Sequence, residues 1–269
     1  MLSTFGTMVY KEERDIKQVS DVLGHRNITT SQTYYSASDD EIKMKYKYET
    51  HLHTFPASKC GKATVFESLK FYKEAGYDGV FLTNHFIGGN IGCDHDLPIA
   101  EQLEFFFKDY YQSQVIGKEL GLKVYPGVEL SYQGTDFLIY GLEPEFYFSH
   151  PEFFDLDFTE KLSFLCKAGA FIVQAHPFRE ESWIPCIRLA PRFVHAVETI
   201  NACNKDHENH MANIYADEYE LPKTAGSDNH RAGGLSRYAG IQLERPLKDG
   251  HDYMRAVLNN EIEIFTWDK

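Results

Sequence analysis

Predicted strands and helices alternate through most of the chain, and this alternation limits the possible folds more than any other feature. The predicted strands are YKYETHLH, DGVFLTNH, LKVYPGVEL, DFLIYGL, AFIVQAHP, AVETINA, KTAGSDNH and AGIQLE. The predicted helices span residues 63–75, 100–120, 158–168, 207–219 and 251–258. Such alternation indicates mostly parallel strands covered by helices. About seven such strands, followed by the strand-like AGIQLE, predict an α/β fold, a distorted (β/α)7 TIM-like barrel.

One connection departs from this pattern. The third and fourth predicted strands are joined only by SYQGT, which predicts an antiparallel hairpin that distorts the barrel. An open doubly wound sheet is the alternative architecture. The chain has no glycine-rich dinucleotide or phosphate loop to favour that alternative.

The composition is that of a globular protein with strong negative charge. The 269 residues carry a formal net charge of −13, and 43% of them are hydrophobic. Because this charge repels phosphates, we expect no long nucleic acid as a partner. The five cysteines include no CxxC pair, which favours reduced thiols. Neither a long apolar run nor a signal-peptide pattern is found, so we expect a cytoplasmic protein without a membrane partner.

Histidines and carboxylates cluster at the carboxyl ends of the predicted strands. The residues at these ends are His51, His53, His85, Glu129, Asp136, His176, Asp228 and His230. In a β/α barrel the strand ends converge on one face, so these side chains are expected to be neighbours. In the His51–His53 pair both rings lie on the same side of a strand. Imidazoles beside carboxylates are typical ligands of zinc, manganese or iron, and the pattern predicts a metal cluster.

The order of these motifs resembles that of the PHP (polymerase and histidinol phosphatase) superfamily. The matching motifs are His-x-His, Asn-His, GVEL, AHPFR and GSDNH, and the resemblance covers residues 44–269. It implies a distorted seven-stranded β/α barrel with two or three divalent metals that hydrolyses phosphate esters. A small phosphorylated substrate is expected.

The resemblance also implies a role for each motif residue. His51, His53, Glu129 and Asp228 would hold one metal, Glu129 and His176 a second, and His85 and His230 a third. Asp136 stands where many relatives have a histidine ligand. Catalytic roles are implied for Glu129, His176, Asp228 and His230. Arg179 resembles a phosphate-contacting arginine, for which a planar guanidinium is suited.

The chain departs from the family pattern at several of these motifs. Glu49 and Asn84 each replace an aspartate, and the loop TFPASKCG lacks the usual acidic or histidine ligand. A protonated Lys59 cannot bind metal, but it is a candidate contact to a substrate phosphate, with a solvated side chain as the alternative. Cys60 could bind metal as a thiolate or pack as a free thiol. The third metal position is therefore in question.

Together these features predict a metal-dependent phosphoesterase that hydrolyses phosphate monoesters or small nucleotide-type phosphodiesters with a metal-activated water. Histidinol phosphatase is an alternative within this class. A degenerate, non-catalytic metal-binding PHP domain is the alternative from another class. The metal count and the metal identity stay open between two or three ions of zinc, manganese or iron.

The N-terminal segment has a different character. A helix is predicted from residue 12 to 23, and VSDVLGHRNITTSQTYYS resembles the C-terminal box of tyrosine recombinases, with Tyr34 at the nucleophile position. The upstream arginines and lysine of that family are absent, so we expect no recombinase activity. We interpret residues 1–43 as a recombinase-like remnant and linker, and expect the metal-dependent domain to start near Met44.

Overall fold

The computed structural model describes residues 45–269. These residues form one compact unit of nine strands and six α-helices. The predicted N-terminal helix and the recombinase-like segment lie outside the described residues. No helix between residues 45 and 269 has the length and apolar character needed to cross a membrane.

Strands and helices alternate as the sequence pattern predicts. The strands are β1 (Tyr46–Leu52), β2 (Gly79–Leu82), β3 (Lys123–Tyr132), β4 (Thr135–Tyr140), β5 (Phe171–Ala175), β6 (Ala196–Asn201), β7 (Lys223–Gly226), β8 (Arg237–Leu243) and β9 (Glu263–Asp268). The helices are α1 (Val65–Glu74), α2 (Ile99–Leu120), α3 (Pro144–Ser149), α4 (Phe158–Lys167), α5 (Asp206–Glu218) and α6 (Gly250–Leu258). Three elements are additional to the prediction: β9, α3 and a short 3-10 helix at Pro151–Asp155.

One sheet contains all nine strands, in the order β7-β6-β5-β4-β3-β2-β1-β8-β9. The predicted hairpin is present, because β4 pairs antiparallel with both β3 and β5. The other six barrel strands pair in parallel, through β1-β2, β2-β3, β5-β6 and β6-β7. β8 and β9 extend the sheet as antiparallel strands beside β1.

The two ends of the barrel sheet meet, so the open-sheet alternative was wrong. A parallel bridge joins Leu52, at the end of β1, to Asn229, just after β7. The Thr50 hydroxyl donates to the carbonyl oxygen of Ala225 at 2.6 Å, and the His53 amide donates to the carbonyl oxygen of Asn229 at 3.0 Å. The predicted distorted α/β barrel is confirmed as a nearly closed barrel.

Local signals in the sequence fix the helices that surround the barrel. Thr64 and Asp157 form capping boxes with Glu67 and Glu160, which satisfy free amides at the starts of α1 and α4. Gly121 ends α2 in a left-handed conformation with φ of 66°, which glycine adopts without strain. The helices bury aromatic side chains against the sheet, and this core holds the strand ends in place.

Candidate metal centre

The His-x-His pair at the end of β1 forms the floor of the site. Both rings are fully buried and on one side of the strand, with 3.1 Å between the two Nε2 atoms. His51 Nδ1 lies 2.9 Å from Glu198 Oε1. Because a carboxylate only accepts, this contact places the ring proton on Nδ1 and leaves the Nε2 lone pair free for a metal.

Two buried carboxylates face these histidines. Glu129, on β3, brings Oε1 to 3.2 Å from His51 Nε2. Asp228, just after β7, brings Oδ1 to 3.1 Å from His53 Nε2. Ligands of a tetrahedral ion with bonds near 2.1 Å stand about 3.4 Å apart, so these spacings are those of a ligand shell.

A second group of donors shares Glu129. His176, after β5, places Nε2 at 3.2 Å from Glu129 Oε1 and at 3.8 Å from Asp136 Oδ2. Asp136 reaches this end of the barrel because β4 runs in reverse, and it stands opposite Ala175 in the β4-β5 register. His176 and Asp228 stand just after the ends of β5 and β7. Both adopt positive φ, of 26° and 54°, a strained backbone conformation that is common at functional sites.

A third group contains His53, Cys60, His85 and His230, whose donor atoms all lie within 4.8 Å of one another. His85 Nδ1 stands 2.6 Å from Glu129 Oε2. Both atoms are buried, yet neither has a hydrogen-bond partner within the described part of the chain. The two atoms face each other at ion-pair distance without hydrogen-bond geometry, and a cation bound by both would satisfy each of them. The donor set therefore fits divalent metal ions.

All eight ligands predicted from the sequence thus converge on one site. Each belongs to at least one of four overlapping groups whose donor atoms could hold a metal. The two oxygens of Glu129 face different partners, since Oε1 lies near His51 and His176, and Oε2 near His53 and His85. Glu129 is therefore placed to bridge neighbouring ions.

The charged groups of the site shift one another's pKa values. Burial alone would raise the pKa of Glu129, but the surrounding histidines, His85 first, hold it well below its usual range. Burial also acts to raise the pKa of Asp228, and His51 and Arg179 outweigh it and lower that pKa strongly. Carboxylates that stay ionised at this depth are suited to bind cations.

Glu198 is a buried supporting residue that the sequence analysis did not single out. It accepts hydrogen bonds from the His176 amide at 3.0 Å and from Asn201 Nδ2 at 2.9 Å, besides its contact to His51. A carboxylate inside the apolar strand AVETINA was the signal that could have found it, because buried acids need partners.

Glu49 and Asn84, which stand where the family has aspartate, both support ligand candidates. Glu49 is fully buried and accepts from the amides of His51 and Ser227, and burial raises its pKa to about 7. Asn84 accepts from the Ser58 hydroxyl, whose oxygen lies 3.1 Å from His53 Nδ1. Asn84 therefore still orients His53 through Ser58, without adding a negative charge.

The two predicted substrate contacts differ in placement. Arg179 lies at the site, where Nη2 donates to Asp228 Oδ2 at 2.6 Å and Nε donates to Asn204 Oδ1 at 2.9 Å. It also lines a small cavity together with His176 and Arg188. Lys59 is exposed, and it precedes the half-buried Cys60 in the loop.

Comparisons with known proteins agree with this fold. Residues 206–262 match a family model described as PHP-associated. No curated protein sequence matches the chain. Among solved structures, the chain resembles a two-domain protein from Bacteroides vulgatus ATCC 8482 that contains a predicted PHP-like metal-dependent phosphoesterase. The TM-score is 0.58 at 16% identity, and the match covers 82% of this chain and 65% of that one, just under two thirds.

A second solved structure is similar over most of its length. PsfC from Pseudomonas syringae PB-5123 matches with a TM-score of 0.53 at 19% identity, over 84% of this chain and 92% of the other. At such identities the likeness concerns the fold. The fold is PHP-like. The candidate metal centre lies at the carboxyl end of this PHP-like barrel, where β/α barrels carry their active sites.

Proposed function

We propose that the protein is a metal-dependent phosphoesterase that hydrolyses phosphate monoesters or small nucleotide-type phosphodiesters. The observation that carries this proposal is the convergence of eight ligand candidates around the shared carboxylate of Glu129. Adjacent metal ions occur in phosphatases and nucleases, where they stabilise the attacking and leaving oxygens, and also in other hydrolases.

The chain offers ligands for two or three ions of zinc, manganese or iron. His51, His53, Glu129 and Asp228 would hold one ion, and Glu129, Asp136 and His176 a second. When bound, such ions polarise a phosphoryl oxygen and lower the pKa of water to about 7, so that hydroxide forms at neutral pH.

Arg179 would bind the phosphate beside these ions. Its Nη2 and Nε donate to Asp228, Asn201 and Asn204. These contacts fix the guanidinium plane at the edge of the site. Its Nη1 makes no hydrogen bond within residues 45–269 and is the group left to donate to a phosphate oxygen.

A groove beside the metal centre would receive the organic part of the substrate. Its volume is about 620 Å³, and its walls include Tyr132, Phe158, Phe193 and Arg188. Tyr132 stacks on Phe158 with 4.2 Å between ring centroids. Thr135 and Arg188 line both this groove and the small cavity beside His176 and Arg179, so the two spaces adjoin. Grooves of this size bind ligands no larger than a nucleotide or drug-sized molecule, which favours a small phosphorylated substrate.

The test combines metal content with hydrolysis. Protein purified without chelator is analysed by elemental mass spectrometry and assayed with an aryl phosphate, an aryl phosphodiester, nucleoside monophosphates and histidinol phosphate. We expect about two or more ions per chain and hydrolysis that a chelator removes. Asp228→Ala should lose both metal and activity, while Asp217→Ala, at an exposed ion pair with Lys223, should keep both.

The outcomes separate the candidate functions. Metal-loaded protein that hydrolyses none of these esters would favour the non-catalytic metal-binding domain. Full activity in metal-free Asp228→Ala protein would contradict a role for the metals. Activity confined to histidinol phosphate would select histidinol phosphatase within the class.

A further inference from the structure

The third group of donors includes a sulfur atom. Among the described cysteines, Cys60 is the one that belongs to a group able to hold a metal, together with His53, His85 and His230. The loop that carries it is TFPASKCG, which lacks an acidic or histidine ligand. The thiol occupies the side of the site on which that ligand is missing.

The loop holds Cys60 in place through its backbone. The Lys59 amide donates to the carbonyl oxygen of Asn90 at 3.0 Å, and the Lys62 amide donates to the carbonyl oxygen of His230 at 2.7 Å. A Cβ atom added to Gly61 would stand 2.7 Å from the carbonyl carbon of Thr54, so the chain packs too closely there for another residue. Cys60 is therefore fixed on both sides, next to the backbone of one of its partner histidines.

His85, a member of this group, has a buried ring nitrogen that makes no hydrogen bond within residues 45–269. His85 Nδ1 and the fully buried Glu129 Oε2 lack hydrogen-bond partners in the described chain, although they lie 2.6 Å apart. His53 presents Nε2 to the His51 group as well, at 3.1 Å from His51 Nε2. Since one nitrogen binds one ion, His53 serves either the His51 group or this one, and Cys60, His85 and His230 belong to this group in both cases.

We propose that Cys60 binds a metal ion as a thiolate, together with His85 and His230, and makes this position selective for zinc over manganese. The thiol proton leaves to solvent when the sulfur–metal bond forms. Thiolate and imidazole favour zinc, whereas manganese prefers oxygen ligands. In this arrangement His230 is a ligand and not a proton donor. The inference rests on the metal centre of the proposed function but not on catalysis.

Cobalt provides a direct readout of the sulfur bond. In the full chain with its bound metal exchanged for cobalt(II), a thiolate ligand gives a sulfur-to-metal charge-transfer absorption in the near ultraviolet. We expect this band in the native chain and in Cys93→Ser, a control at another half-buried cysteine. Cys60→Ser should lose the band and about one ion per chain.

An aspartate at position 60 shows whether the sulfur atom itself, or only the presence of a ligand, determines the preference for zinc. Cys60→Asp should bind an ion without the band, and its preference for zinc over manganese should fall by about tenfold or more. A native chain without the band, or an unchanged band in Cys60→Ser, would overturn the proposal. If the protein showed the band but hydrolysed no phosphate ester, the proposed phosphoesterase function would be wrong and the proposal for Cys60 would stand.

Alkylation tests the same bond without any variant, which matters if Cys60→Ser does not fold. Zinc bound to the native chain should slow alkylation of Cys60 by about tenfold or more, because a metal-bound thiolate is a poor nucleophile. The exposed Cys166, on α4, should react at the same rate with and without zinc. Equal rates at Cys60 in both conditions would overturn the proposal.

Discussion

Glu198 is a buried residue outside the ligand set that holds ligand candidates of this metal centre in position. Glu198 makes hydrogen bonds to the His51 ring, to the His176 amide and to Asn201, so it ties together two donors from different strands. It also fixes the tautomer of His51. Residues in such positions typically change metal affinity or activity by about 10–100-fold when they are replaced.

Glu198→Gln is therefore expected to weaken metal binding by about 10–100-fold. A glutamine amide can still donate or accept, but it no longer holds the His51 proton on Nδ1 with a negative charge. Competition with a metal-sensitive dye measures the affinity. Glu104→Gln, at an exposed position on α2, is the control and should bind metal like the native chain. A dissociation constant for Glu198→Gln equal to that of the native chain would contradict the role.

Most ligand candidates could be foreseen at the residue scale because they stand at or just after the carboxyl end of a strand, whereas Asp136 stands near the amino end of the reversed β4. The sequence alone does not decide whether Cys60 is a ligand or a packed thiol, since its position depends on hydrogen bonds from its loop to Asn90 and His230. Such contacts join residues far apart in the chain and leave no local pattern. The sequence marks Glu198 only as a carboxylate inside an apolar strand, since two of its partners, His51 and His176, lie far from β6 in the chain.

At the scale of elements, the helices were the most predictable part. Capping boxes at Thr64 and Asp157 and the left-handed Gly121 mark helix ends by local chemistry. β9 was missed because it pairs only with β8 at the edge of the sheet, and most of its side chains stay at least partly exposed. An edge strand of this kind lacks the clear apolar alternation of a half-buried strand.

Asp252 anchors the last helix to the segment that follows β8. Its Oδ2 accepts from Arg245 Nη1 at 2.7 Å and from the Lys248 amide at 3.0 Å. Burial alone would raise the pKa of this carboxyl, but the hydrogen bonds from Arg245 and Lys248 outweigh it and lower the pKa below its usual value. Because the folded-state pKa is depressed, the ionised carboxylate stabilises the fold above the unfolded-state pKa of about 3.8.

Asp252→Asn should lower the free energy of unfolding at pH 7 by about 1–3 kcal/mol, since hydrogen bonds to a charged group are lost. The difference from the native chain should persist down to about pH 5 and narrow as the pH falls below 3.8, where the native carboxyl takes up its proton. Urea unfolding of both chains at a series of pH values measures this difference in the free energy of unfolding. Asp217→Asn, at an exposed ion pair, should change little. A difference in the free energy of unfolding that grows towards low pH would contradict the stabilising role of the Asp252 carboxylate.

At the scale of the whole molecule, barrel closure and metal binding use the same residues. The seam between β1 and β7 contains Thr50, His51 and His53 on one side, and Gly226 and Asp228 on the other. Glu49 accepts from the Ser227 amide across this seam, at 2.8 Å. The site also gathers several buried carboxylates in a chain with a formal net charge of −13. Bound cations would offset that repulsion, so metal binding and folding should be coupled.

At Gly226 the backbone of β7 packs tightly against His51 on β1 and Glu198 on β6. A Cβ atom at this position would stand 2.5 Å from His51 Cβ and 2.7 Å from Glu198 Oε1. Gly226→Ala should therefore destabilise the protein by about 1–3 kcal/mol through overpacking, and it should weaken metal binding by displacing His51. Gly233→Ala is the matched control, because its added Cβ would come closest to the flexible end of the Lys269 side chain, at 2.7 Å.

Thermal unfolding with and without a chelator measures both effects of Gly226→Ala. In the native chain and in Gly233→Ala, removal of metal should lower Tm by roughly 5–15 °C, as expected when about 3–4 kcal/mol of ligand stabilisation is lost from a domain of this size. Gly226→Ala should start from a lower Tm and show a smaller chelator-dependent decrease, because its metal is already weakly bound. A variant with a lower Tm but the full native decrease would mean that the seam closes independently of the metals. That result would separate the stability of the barrel from the assembly of its metal centre.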